Sequence, residues 1–153
     1  MTFSLYSDEE LTSFRLIPKW VTNPGARWVE KPGHRQRTYK VAGDGGSNFE
    51  VFQRESLKDS KDFSCGIAYL PVADGTRITL ARYNGPSHRH GDIKYQSHIH
   101  KATAKAIAAG KKPEFEAIET DRFTTLEGAF RCLIEDFELR GIDPPVGEKM
   151  RLF

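Results

Sequence analysis

The sequence predicts a single α+β domain: an antiparallel sheet of about four strands, arranged as a meander and packed with N-terminal and C-terminal helices. Three observations predict it. The middle of the chain alternates apolar with polar residues between glycine-bearing breaks, which is the signature of short antiparallel strands. Both flanks carry capping-box patterns followed by apolar residues at helical spacing. The chain has 153 residues, 38% of them hydrophobic and 11% aromatic, enough for one core without staples. Its core is expected over roughly residues 7–143, with 144–153 as a tail. No apolar run approaches the ~20 residues that span a bilayer.

Each element follows from local chemistry. Ser7-Asp8-Glu9-Glu10 fits a capping box with Ser7 as N-cap and Glu10 at N3. Leu11, Phe14 and Ile17 then form an apolar stripe that Pro18 stops. Residues 22–36, rich in Pro, Gly and basic groups, are expected as a loop clamped to the body by Trp20 and Trp28, with His34 solvated. Strands are expected at Arg37–Ala42 and Asn48–Arg54, joined across Gly43–Ser47, and at Phe63–Leu70 and Thr76–Tyr83, joined across Ala73-Asp74-Gly75. Such short links imply antiparallel neighbours.

The C-terminal half reads as helical. Ile99, Ala102, Thr103, Ala106 and Ile107 follow helical spacing, with Ser97 as a candidate N-cap and Gly110 as the stop. Glu114–Ile118 reads as a short edge strand. Thr124-Thr125-Leu126-Glu127 is a second capping box, opening a helix with Leu126, Ala129, Phe130, Leu133 and Phe137 on one face. Gly141 is expected to end it, and Pro144-Pro145 forbids its return.

Charge and cysteine usage narrow the classes. Net charge is +2, but residues 76–112 hold eight Lys/Arg and one acid, whereas 113–143 hold three Arg and nine acids. A basic block beside an acidic one points to an anionic partner for the basic block. Cys65 and Cys132 are expected as reduced, buried thiols. Met1-Thr2-Phe3-Ser4-Leu5 has neither a basic n-region nor a long apolar one, so a cytoplasmic chain with no membrane contact is expected. A Gly-rich phosphate loop, a Gly-x-Ser-x-Gly elbow and a Cys-x-x-Cys pair are all absent from the sequence, which removes support for NTPase, α/β-hydrolase and zinc-ribbon readings.

Four of the five histidines fall within thirteen residues, in His88-Arg89-His90 and His98-Ile99-His100. Three chemistries are open to them. On extended backbone each His-x-His pair shares a face, so His88, His90, His98 and His100 could hold zinc or a similar divalent metal. Alternatively, imidazoles suit general acid and base work on a phosphodiester. Arg82 would then stabilise the developing charge, and Arg89, Lys101, Tyr83 and Asn84 would bind the anion. If Ser97 caps a helix, His98 and His100 lie in its first turn and diverge, because neighbours two apart do not share a helix face. Finally, loop histidines can simply bond to backbone. The leading expectation is an RNA-acting protein, a toxin-type endoribonuclease needing no cofactor. In it one histidine takes the 2′-hydroxyl proton and another protonates the leaving oxygen, with His88, His90, His98, His100 and Arg82 as the catalytic set. The alternative is a non-enzymatic interaction module whose histidines are structural or bind a metal.

In Arg82-Tyr83-Asn84-Gly85 and the two His-x-His pairs the chain resembles an uncharacterised family of small bacterial proteins, a domain of unknown function. Phe63-Ser64-Cys65-Gly66, Thr120-Asp121-Arg122-Phe123 and Leu126-Glu127-Gly128-Ala129 carry the same resemblance, which covers roughly residues 7–143. More distantly the arrangement is similar to TumE-like toxins of toxin–antitoxin pairs. It departs from them in having Asn84-Gly85 where they have aspartate-asparagine, and in lacking an adjacent histidine pair. What that resemblance implies is RNA-directed growth inhibition and a cognate antitoxin as partner.

Overall fold

A computed structural model describes residues 6–71, 75–87 and 95–145. The helix expected at the N-terminus is present as α1 (Asp8–Leu16), with Ser7 and Glu10 closing the capping box reciprocally. Strands follow as β1 (Lys19–Val21), β2 (Val29–Lys31), β3 (His34–Gly43), β4 (Asn48–Ser56), β5 (Phe63–Tyr69), β6 (Ile78–Asn84) and β7 (His98–Lys101). Then come α2 (Ala104–Ala108), β8 (Glu116–Glu119), α3 (Leu126–Asp136) and β9 (Leu139–Arg140).

The four-strand antiparallel meander is corrected by this topology. The nine described strands form one curled, mixed sheet, a half-barrel, in the order β8-β7-β6-β5-β4-β3-β1-β9, with β2 also paired to β3. The expected strands make up its antiparallel centre, β3 to β6. Short strands extend it on both sides, and β1 pairs with β9 in parallel. The expected loop over 22–36 contributes β2 and the start of β3. His34 is therefore a half-buried strand residue opposite Lys31 and Ser56 rather than a solvated one. Trp28 does pack back onto the body, over Arg35 and Arg37, whereas Trp20 lies 42% exposed on β1.

The helix expected from residue 99 is also corrected. Residues His98–Lys101 form a strand against β6, and only Ala104–Ala108 is helical, capped by Thr103 rather than Ser97. Strand β6 would otherwise leave a row of backbone donors and acceptors unpaired at its edge, and pairing with β7 satisfies them. The final helix is capped by Thr125, which accepts from Gly128 N, one residue later than expected. It ends at Phe137, and Glu138, at φ 51, reverses the chain into β9. Gly141 therefore follows a strand, not a helix.

Helices α1 and α3 pack on one face of the sheet, here called the inner face. Tyr39 stacks on Phe130, Phe14 stacks on Tyr69, and Phe63 meets Phe123. Cys65 and Cys132 are buried free thiols in this core, as expected. Pro145 O is held by the Arg131 guanidinium, so part of the expected tail is tied down. Residues 146–153 lie outside the described residues. Among the described residues no helix is long and apolar enough to cross a membrane.

Gly85, which closes the Arg82-Tyr83-Asn84-Gly85 motif, is needed for packing rather than for a turn. A Cβ there would come within 2.3 Å of Lys61 O and 2.5 Å of the Phe63 ring. Its N–H also donates to Phe63 O at 3.0 Å, so the backbone cannot back away without losing a bond. Gly85→Ala is expected to destabilise the fold by about 3 kcal/mol, the upper part of the usual overpacking range. Urea unfolding measures it, and a midpoint unchanged from wild type would refute the close approach.

Candidate functional site

Strand alternation decides which of the candidate residues meet. Across the antiparallel pairs, Arg82 lies opposite His100 and Asn84 opposite His98. Directly opposite residues share a face, so these four side chains form a compact patch on the outer face. Their rows continue across the sheet through Gly66 and Phe52, and through Ser64 and Arg54. Tyr83 and Lys101 sit on the other parity and project to the inner face. Of the candidate anion-binding residues, Tyr83 and Lys101 therefore lie on the opposite face of the sheet from Asn84 and from Arg82. His88, Arg89 and His90, the remaining candidates, lie outside the described residues.

The histidine pair is tightly placed. His98 and His100 are each 1% exposed, and their ring centres are 5.1 Å apart in an edge-on arrangement. The helix-start placement, in which the rings diverge, does not occur. Each ring is anchored through Nδ1: that of His98 lies 3.0 Å from Gln96 O, and that of His100 lies 3.0 Å from Glu114 O. A carbonyl can only accept, so Nδ1 carries the proton in both bonds. In the neutral ring Nε2 is then the acceptor and ligating atom. Asn84 Nδ2 stands 3.4 Å from His98 Nε2.

The patch also holds unsatisfied polar atoms. Arg82 Nε, Asn84 Oδ1 and the neighbouring Ser97 Oγ are buried with no hydrogen-bond partner among the described residues. Buried polar groups are nearly always satisfied, so these three atoms stand out among the described residues. Arg82 Nη1 is 3.8 Å from the Glu114 carboxylate, a loose pair. Glu114 thus serves the site twice, by its carbonyl on His100 and by its carboxylate near Arg82, and sequence reasoning gave it no role. Its signal was available only as the start of the expected edge strand.

On the inner face Tyr83 Oη donates to Asp136 Oδ2 at 2.6 Å, and Arg122 grips the same carboxylate with both Nη atoms at 2.9 Å. Burial alone would raise the Asp136 carboxyl. The Arg122 guanidinium and the Tyr83 hydroxyl beside it bring it below the usual carboxylate range. Burial and the bond to Asp136 push the Tyr83 phenol far up, so it stays a neutral donor. Sequence reasoning missed Asp136 and Arg122 because their partner lies on another element, 53 positions from Asp136. Among the described residues no group of three or more His, Cys, Asp or Glu side chains gathers around a point. No family model, curated protein or solved structure matches the chain.

Proposed function

We propose that this protein binds a divalent transition metal, zinc by preference, through Nε2 of His98 and His100. The observation that carries this reading is the pair's geometry. Two imidazoles ligating one tetrahedral ion, with each Nε2 at ~2.0–2.1 Å, put their ring centres about 5 Å apart, and these lie 5.1 Å apart. The Nδ1–H bonds to backbone carbonyls are the arrangement that fixes tautomer and ring orientation in metal sites. Burial of both rings also suits a held ion better than an open acid–base pair.

An ion needs more ligands than two, and the sequence offers His88 and His90. The test is elemental analysis of full-length protein purified without a histidine tag. One equivalent of metal is expected, lost in His98→Ala, His100→Ala and His90→Ala, and kept in His34→Ala. Metal-free wild-type protein that takes up no zinc on dialysis would end the proposal.

A second reading is favoured by the orphaned Arg82 Nε and Asn84 Oδ1. In it the same patch acts on RNA, with the guanidinium receiving a phosphate and the imidazoles moving protons from the 2′-hydroxyl and to the leaving oxygen. The basic residues of the outer face, Arg54 and Arg82, fit a polyanion. Its test is chelator-insensitive cleavage of single-stranded RNA to products ending in a 2′,3′-cyclic phosphate. An inert RNA at high protein concentration excludes it and leaves a binding module.

A further inference from the structure

The inner face beneath the β6–β7 pair carries a cavity apart from the histidine patch. A cavity of about 400 Å³ opens there between α1, the two strands and the end of α3. Its floor is apolar, formed by Leu11, Leu80, Ala102 and Phe137. Its walls bring three cations together, Arg15, Lys101 and Arg122, against the single carboxylate of Asp136. That carboxylate is already taken, by both Nη atoms of Arg122 and by the Tyr83 hydroxyl. Arg15 and Lys101 are exposed and form no ion pair among the described residues. Three positive groups, from α1, β7 and the connection between β8 and α3, converge over an apolar floor with one negative charge between them.

We propose that this cavity binds a small organic anion: a carboxylate or phosphate monoester head on a compact apolar body. The head group sits between Arg15 and Lys101, with the outward N–H groups of Arg122 in reach, and the body covers Leu80 and Phe137. A convergent cluster with a desolvated floor strengthens each charge-assisted bond. The volume admits a ligand of roughly a dozen heavy atoms, at the small end of ordinary ligand pockets. This site shares no side chain with the histidine patch, so it stands whether or not a metal is bound. Its occupant nonetheless bears on that patch, because Lys101 follows His100 in β7 and Tyr83 separates Arg82 from Asn84 in β6. An anion bridging Arg15 to Lys101 ties α1 to the strand that carries both histidines.

The test is calorimetric titration of the full chain with hexanoate, phenyl phosphate, inorganic phosphate and, as a neutral isostere, hexanamide. At least one of hexanoate and phenyl phosphate is expected to bind, and which of them does so identifies the head group. Its affinity should exceed that of inorganic phosphate by about tenfold, since burying a few apolar carbons contributes roughly that much. Arg15→Gln and Lys101→Gln change exposed side chains, leave the core intact, and are each expected to weaken binding about tenfold. Binding of hexanamide as tight as hexanoate, binding unaltered in the double variant, or no heat with either organic anion would each overturn the proposal.

Discussion

Chelation of the wild-type protein at neutral pH is expected to lower its thermal midpoint by about 10 °C, and His98→Ala and His100→Ala are expected to lack that response. A ligand present at about a thousand times its dissociation constant stabilises the native state by ~4 kcal/mol. For a chain of this length each kcal/mol moves the midpoint by roughly 2–4 °C. The effect should be large because the site is preorganised. Strand pairing with β6 fixes both backbones, and the bonds from Nδ1 to Gln96 O and Glu114 O fix both rings, so binding orders little that was free. Both alanine variants should melt below the chelated wild type, because each also loses a buried ring and its bond to Gln96 O or Glu114 O. Neither should shift further on chelation, and added zinc should restore only the wild type. Because imidazole must be neutral to ligate, the response should fade as the solution is acidified. A chelated protein that melts with the untreated one would remove the metal from the account and leave the RNA reading to be judged alone.

Local chemistry made the capped helix α1 and the four central strands readable, since their signals sit within a few residues of one another. Residues 98–107 were ambiguous for a physical reason. Ile99, Ala102, Ala106 and Ile107 satisfy helical spacing, while His98, Ile99 and His100 satisfy strand alternation equally well. What decides is the unpaired edge of β6, which no local pattern encodes. Strands β1, β2 and β9 have three, three and two residues, too short to display any period. The splitting of the site, by contrast, was legible. Placing Arg82 and Tyr83 on one strand already requires them to face opposite sides, whereas Asn84 lay past the expected strand end and joins Arg82 only because β6 runs on to it. Asp136 and Arg122 were not legible, because a tertiary ion pair leaves no trace in spacing.

Lys19 gives the largest pH-dependent effect expected outside the histidine patch. It is fully buried, at 0% exposure. Its ammonium donates to Arg15 O and Ile17 O at the end of α1, and to Phe137 O at the end of α3, at 2.8, 3.0 and 3.1 Å. The rings of Phe49 and Phe137 flank it at 5.3 and 5.6 Å. One side chain thus satisfies orphan carbonyls at two helix C-termini, where cations also meet a favourable dipole. Lys19→Met keeps the volume and strands three acceptors, for an expected loss of about 2–3 kcal/mol at pH 7. Burial, the largest influence, nevertheless pulls the Lys19 pKa down from 10.5 to about 8, with Glu138 opposing it. Between those values the unfolded chain holds a proton that the folded chain has released, so stability rises with pH across that window. The wild-type advantage over Lys19→Met should therefore widen from pH 8 toward pH 10, by ~3 kcal/mol at most. Subtracting the variant cancels the titrations common to both proteins, including the buried tyrosines. Urea unfolding at pH 7, 8.5 and 10 measures the difference, and a constant or shrinking gap would show that the ammonium is not buried as described.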